Sequence, residues 1–429
     1  MKLEDVLEHL QEPDKLKVLN PHWEESVETL PSDRPLFLYP AEFKTAREWG
    51  DLDPDVEPLL EKIADRIASD PAFLILAWHC HRLLFEKREY TDFLPWPTFN
   101  RALEGEGGVF HLLLILGMVP RIREFHESRN IPDEITRLSC TDIRIARERY
   151  QAITGGKLGT EIRLLHWFRG HTLGDLYRIG RMQYVVRPFQ GKLRAFRNRE
   201  TGEMLAISLS GVNFDKDGYV QIAGYTDGGG GWTSELGESE NEITGCPISP
   251  FGMAVRKKVT LSFDAWECVL NPEDPVLEMH IPEGEAMTPQ CCHESMQEAL
   301  EFFPKYFPDR PFVSFACYSW IFNPQLEEML GQESNLVKYM SELYLFPIPT
   351  GGKSGLYFVF YQDDVDPKTG PRNTRLRRAY LDHLEAGKPL RSGAMFMLPD
   401  DLKYYGSQHY RSQWPIIGLG VLLPGHSVE

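Results

Sequence analysis

Several signatures of common enzyme chemistries are missing from this 429-residue chain. It has no P-loop, no Gly-x-Gly-x-x-Gly after a strand, no Gly-x-Ser-x-Gly elbow, no His-Glu-x-x-His and no Cys-x-x-Cys. Their absence removes the usual phosphate cradles, serine-hydrolase elbows, zinc helices and dithiol motifs from consideration. Positive charge is also short: 46 Lys and Arg face 63 Asp and Glu, a formal net charge of −17. A nucleic-acid binder needs a basic face, and an anionic membrane surface attracts one, so neither partner is expected. The longest apolar run, VFHLLLILGMV at 109–119, is too short to span a bilayer. The N-terminus, MKLEDVLEHL, carries acids where a secretory leader carries a basic and then an apolar stretch. Seven scattered cysteines, an odd number with Cys291 and Cys292 adjacent, read as reduced thiols. A cytoplasmic protein is expected. The acidity fits an enzyme that steers a cationic or neutral acceptor, and fits better a surface built for solubility alone.

What is present divides into two grammars. Helical spacing dominates the first 150 or so residues, with Val56, Leu59, Leu60, Ile63 and Ile67 on one face. Asp70-Pro71 then pairs a capping side chain with a proline at the first helical position. The following AFLILAWHCHRLLFEK is apolar nearly all round and reads as a buried helix. Further helices are expected over 109–125, kinked or broken at Pro120, and over 133–150. His79 and His81, two residues apart, point to different helical faces, so no shared metal is expected. From Thr154-Gly155-Gly156 to about residue 276 the pattern changes to short strands and turns. Hairpins are expected at Thr201-Gly202 and Asp217-Gly218, with a flexible glycine loop at 225–235. Beyond that, VLEMHIP, PFVSFACYSWIF, GLYFVFY and AMFMLP read as strands. Helices alternate with them at 288–303, from Asn323-Pro324 toward residue 344, and at 374–384.

In that order, LYRIGRMQYVVR, VLEMHIPEGEAMTPQCCHESMQEALEFFPKYFP, PFVSFACYSWIFNPQL and TRLRRAYLDHLEAG resemble a bacterial acyltransferase family. Its members join a helical N-acyltransferase N-terminal domain to a GNAT-like C-terminal domain. The likeness is strongest over 176–398. It implies an α+β protein: an all-helical domain over 1–153, then a GNAT-like mixed α/β domain over 154–429 with an antiparallel β insertion at about 189–274. It also implies acyl-coenzyme A as co-substrate and a small-molecule acceptor. In such folds the pantetheine arm pairs with one central strand and the diphosphate rests on amides at the start of the next helix. Here that strand ends at Ile281, the loop holds Gly284, and the helix opens at Thr288. This loop departs from the usual GNAT pattern, since Gly284 is its one glycine and Glu283 and Glu285 flank it. Thr288 before Pro289 also reads as ordinary capping.

Amide formation needs a base for the amine, donors for the developing oxyanion and a proton for the leaving thiolate. Glu278 and His280 alternate onto one face of their strand and are the candidate bases. Ser319 and Tyr318 supply hydroxyls at the next strand end, and Trp320 is a candidate wall of the acyl pocket. Tyr177, Arg181 and Gln183 in the LYRIGRMQY run are candidate substrate contacts, with Arg181 and Gln183 expected on one side of a continuous strand. Thr374 and Arg377, at a helix start rich in arginine, form a rival anion site. Core packing for Trp320 and solvated or ion-paired arginines remain open at these positions. Two other functions stay open as well: a non-catalytic protein that binds a small ligand, and a hydrolase built on Ser319 or Cys317.

Overall fold

The computed structural model describes residues 1–225 and 229–414. The chain divides into two compact units: Met1–Ile179 with Pro282–Gly284, and Gly180–Ile281 with the chain from Glu285 onward.

The first unit is helical. Asp70 accepts hydrogen bonds from the amides of Ala72 and Phe73 and so opens Pro71–Phe85, the buried helix expected from its all-round apolar sequence. Its histidines serve packing. His79 bonds Ser26 Oγ and the Leu19 carbonyl at 2.8 Å each, while His81 stacks on Phe37. The next apolar stretch breaks at Gly117, between Gly107–Leu116 and Met118–Ser128. Pro120 thus falls in the first turn of the second helix, where its missing N–H costs no helical bond. The expected helix over 133–150 is likewise two, Asp133–Cys140 and Asp142–Thr154. Gly155 ends the latter with φ +70°. Helix then returns: Leu165–Thr172 buries Leu165, Phe168 and His171 where strands and turns were expected. Their three-residue spacing is a helical signal that the neighbouring strand-like sequence hides.

The expected single strand at 176–187 is interrupted at Gly180-Arg181, with φ +55° at Gly180. Tyr177–Ile179 falls in the first unit and Met182–Pro188 in the second. Arg181 therefore stands in a turn, and strand alternation does not place it beside Gln183.

The core of the second unit is a mixed sheet. Its strands are β1 (Met182–Pro188), β2 (Pro275–His280), β3 (Ser314–Ser319), β4 (Tyr344–Pro347) and β5 (Gly393–Met397), in the order β1-β2-β3-β5-β4. Only β2 and β3 run parallel, joined through α1 (Pro289–Tyr306). α1 buries Cys292, Ser295, Met296, Ala299, Phe302 and Phe303, close to the expected face, while Leu300 stays half-buried. A second helix, α2 (Arg375–Glu385), precedes β5. Two expectations fail here. The helical stretch expected to run to Tyr344 ends at Ser341 and Tyr344 opens a strand, and GLYFVFY holds the short helix Leu356–Phe360 instead of a strand. A short run that is apolar at almost every position has no period by which to decide. Gly355 and Tyr361 bound that helix in left-handed conformations, at φ +83° and +59°.

The region at 189–274 is antiparallel, as expected. Met253–Ala254, Pro247–Ser249, Met204–Ser208, Leu193–Asn198 and Trp266–Leu270 lie side by side in that order, with a three-stranded sheet beside them. The Thr201-Gly202 turn forms on Asn198, whose Oδ1 accepts from the amides of Glu200 and Thr201. At Asp217-Gly218 the chain also turns, but Phe214 makes its strand with Trp232 and only a single bridge to Val220. Part of the expected glycine loop, 226–228, lies outside the described residues. The α+β reading holds for the chain, a helical first unit followed by a mixed α/β second unit. No helix among the described residues is long and apolar enough to cross a membrane.

Candidate active site

The two parallel strands part. β2 and β3 pair at Val276–Ser314, Leu277–Phe315 and Glu278–Ala316, and their shared register ends there. β2 continues to His280 on its β1 side, opposite Tyr184 and Gln183. β3 continues to Ser319 on its β5 side, opposite Met395, Ala394 and Gly393. Among the described residues, the facing edges of Met279-His280 and Cys317-Tyr318-Ser319 carry no ladder to each other, so a wedge of backbone donors and acceptors opens between them.

Strand alternation sorts the side chains around this wedge. Glu278, Ala316, Phe396 and Tyr344 lie in one row across the sheet. His280 and Tyr318, two residues further along their strands, share that face with Glu278. Phe346 shares it too, in Tyr318's row across Ala394. The insertion covers this face: the Tyr344 hydroxyl accepts from the Ala206 amide and donates to the Ile248 carbonyl. α1 covers the other face, where Tyr184 bonds Ser295. His280 Nε2 lies 3.2 Å from Glu278 Oε1, with 28% and 14% of the side chains exposed. The Tyr318 hydroxyl accepts from the Gln190 amide at 2.8 Å, and burial pushes its pKa well above the ordinary phenol value. Tyr318 therefore keeps its proton at neutral pH.

At the end of β2 the chain passes half-buried Ile281 and reaches Gly284, which has φ +122° and open space where a Cβ would stand. Thr288 caps α1, its Oγ1 accepting from the Cys291 amide at 3.2 Å. Pro289 has no N–H, so the Gln290 amide is the first-turn donor that capping leaves over. Positive charge stands close by. Arg181, 5% exposed, donates from Nε to the Glu285 carbonyl at 3.0 Å, and its buried Nη1 finds no partner among the described residues.

Residues 176–397 match the family described as GNAT-like C-terminal domain, and residues 42–173 match the N-acyltransferase N-terminal domain. The chain belongs to the GNAT-like C-terminal domain family. The fold also resembles solved acyltransferases. One, a mutant in complex with octanoyl-CoA, has TM-score 0.60 and 20% identity over 93% of this chain and 100% of its own. Another, in complex with decanoyl-CoA and teicoplanin, gives 0.60 and 20% over 93% and 99%. A third, with CoA and 10C-Teicoplanin, gives 0.51 and 19% over 83% and 99%. At such identities the likeness is one of fold. No curated protein matches the sequence.

Within this GNAT-like domain the other candidate residues have mostly structural partners. Ser319 lies on the α1 side by alternation, and its Oγ accepts from the Ile321 amide at 3.4 Å, capping the turn Trp320–Phe322. Trp320 stacks on Phe358 with ring centres 6.2 Å apart and meets Tyr380 edge-on. Gly355 makes room for it, since a Cβ there would sit 3.0 Å from the indole. Cys317 is buried, and burial together with the Glu278 carboxylate pushes its thiol far up, away from the nucleophilic form. Gln183 is buried opposite His280. In the helical unit, Tyr177 is wholly buried with its hydroxyl on the Gly174 carbonyl, which leaves it no surface for a substrate. At the rival helix start, Thr374 caps α2 by accepting from the Arg377 amide. The arginines beside it donate to carbonyls: Arg375 to Leu330, Arg377 to Val359 and Arg378 to Arg372. The Gln190 amide has no side-chain signature, so sequence reasoning had no means of finding it.

Proposed function

We propose that the protein transfers an acyl group from an acyl-coenzyme A to an amine of a small-molecule acceptor. The observation that carries this reading is the parting of β2 and β3 just beyond Glu278 and Ala316. The wedge offers an open strand edge to the amides of a pantetheine arm. The start of α1 offers the Gln290 amide, the positive end of the helix dipole and the nearby Arg181 to a diphosphate. The solved acyltransferases of this fold, in complex with acyl-CoA or CoA, support the same choice of co-substrate.

The chemistry then uses one face of the sheet. The Glu278–His280 pair takes a proton from the acceptor ammonium, directly or through water. The freed amine nitrogen attacks the thioester carbon, and backbone N–H groups of the wedge stabilise the oxyanion. As the C–S bond breaks, Tyr318 gives its proton to the thiolate, the second proton of the attacking nitrogen restores the Tyr318 phenol, and the proton held by the Glu278–His280 pair passes to solvent. Trp320, the candidate wall of the acyl pocket, packs on Phe358 and Tyr380 beyond the end of β3 and takes no part in these proton transfers. A hydrolase centred on Ser319 or Cys317 is less favoured, because the first caps a turn and the second is buried with a raised pKa. The cytoplasm is the proposed location, in keeping with seven free cysteines.

Calorimetric titration with coenzyme A and octanoyl-CoA tests cofactor binding, and thiol release with a panel of amines tests transfer. Saturable binding with amine-dependent thiol release is expected. No binding at millimolar coenzyme A would overturn the reading. Binding without turnover would favour a non-catalytic ligand-binding protein, and turnover without amine a hydrolase.

A further inference from the structure

The sheet face that carries Glu278, His280 and Tyr318 also borders an apolar pocket of about 190 Å³. Phe346 of β4 lines it from the sheet, and Leu193, Phe214, Val220 and Ile248 line it from the insertion. Two of its lining residues touch Tyr318. Gln190 donates its amide to the phenol oxygen, and the Phe346 ring packs edge-on with centres 6.1 Å apart. Ser208, a polar residue in the wall, already donates its hydroxyl to the Leu209 carbonyl. Lys192 and Gln190, the other polar side chains of the lining, are exposed, so a polar group carried past them among Leu193, Phe214, Val220, Ile248 and Phe346 would lose water for apolar neighbours, and the interior selects hydrocarbon. An apolar cavity of roughly 150 Å³ holds a benzene molecule, so this one has room for a group of about six carbons.

We propose that this pocket holds the distal part of the acyl chain, which makes the insertion the element that selects an aliphatic acyl-CoA of intermediate length. The proposal rests on the acyl-CoA reading above. A thioester carbon held between the Glu278–His280 pair and Tyr318 has its leaving sulfur at Tyr318 and its nucleophile at the base. The chain continuing from that carbon along the insertion-covered face meets the pocket next to Tyr318. An acceptor approaching from the base side does not.

The test is titration of the full-length protein with coenzyme A and with acetyl-, hexanoyl-, octanoyl- and dodecanoyl-CoA. It is repeated on two pocket-filling variants, Val220→Phe at the wall and Val212→Phe at the half-buried rim. A buried methylene tightens binding by about fourfold. Octanoyl-CoA should therefore bind the wild type at least 30-fold more tightly than acetyl-CoA, with no further gain at dodecanoyl. In either folded variant that gain should fall below threefold while coenzyme A itself binds as before. A wild type that binds octanoyl-CoA within threefold of acetyl-CoA overturns the pocket assignment without any variant. So does a chain-length gain that survives in a folded variant. If coenzyme A fails to bind the wild type at all, the acyltransferase reading fails first and takes this one with it.

Discussion

Replacing Tyr318 by Phe separates the proposed chemistry from the packing around it. The ring keeps its neighbours, Phe189 and Phe346, so no cavity forms. The loss is one hydroxyl, the acceptor for the Gln190 amide. Gln190 is exposed, so water can replace that acceptor, and the cost falls in the ordinary range for one hydrogen bond, about 0.5–1.5 kcal/mol. That is a shift of a few degrees in Tm at most. The catalytic cost should be far larger. A positioned general acid contributes roughly 10²–10⁴-fold, equivalent to about 3–5 kcal/mol of barrier. The assay is single-turnover thiol release at saturating acyl-CoA, with an amine that the wild type accepts, alongside calorimetry with coenzyme A. The expected result is a turnover loss of at least about 100-fold with coenzyme A affinity unchanged. Because burial raises the phenol pKa, the wild-type rate should not fall through loss of this proton anywhere near neutral pH. A folded Tyr318→Phe protein that turns over within about threefold of wild type, well short of what a general acid contributes, would refute Tyr318 as the proton donor.

Other perturbations probe different parts of the molecule. Ser319→Ala removes only a long capping bond, so turnover should stay within about threefold, with at most about 1 kcal/mol lost from stability on thermal melting; a collapse of turnover would revive the serine hydrolase. Arg181→Met should weaken coenzyme A binding by about tenfold or more, as loss of a charge-assisted contact does, and unaltered calorimetry would remove Arg181 from the diphosphate site. Burial holds His79, His111 and His126 near pKa 4 in the folded protein against 6.5 for the free side chain. Below about 6.5 the unfolded chain binds protons that the folded one refuses. Stability is therefore full above that pH and falls as pH drops toward 4, by up to roughly 3 kcal/mol per histidine. Urea midpoints that do not decline between pH 7.5 and 5 would contradict this.

Much of the fold could be read from short-range rules. Asp70-Pro71, Thr288-Pro289 and Thr374 mark helix starts because a capping oxygen satisfies local amides, and all three cap as expected. The Glu278–His280 pair was legible because strand alternation needs no tertiary information. What was not legible depended on partners far away in sequence. Tyr344–Pro347 becomes a strand because Gly393–Met397 lies beside it. The contacts of the two candidate hydroxyls, Ser319 with the Ile321 amide and Tyr318 with the Gln190 amide, follow from no local rule. The separation of β2 from β3, on which the functional reading turns, is a property of register between two strands and has no sequence motif.

The unusual loop after β2 gains a physical explanation from the turn at Gly180. A diphosphate site made of amides needs several free N–H groups, and here Pro289 deletes one while Thr288 occupies another. Charge can replace amides, provided the cation is held in place before the anion arrives. Gly180 allows this: with φ +55° it lies so near α1 that an added Cβ would sit 3.2 Å from that of Ser295. The turn so formed delivers Arg181 to the Glu285 carbonyl, where its Nε is already bonded and its Nη1 is buried without a partner. A guanidinium fixed by one bond, with Nη1 buried and unpartnered, has paid its ordering entropy in advance. On the proposed reading it supplies the positive charge that attracts the ligand. The family's glycine loop and this chain's arginine turn are then two solutions to one electrostatic problem, the first made of dipoles and the second of a full charge.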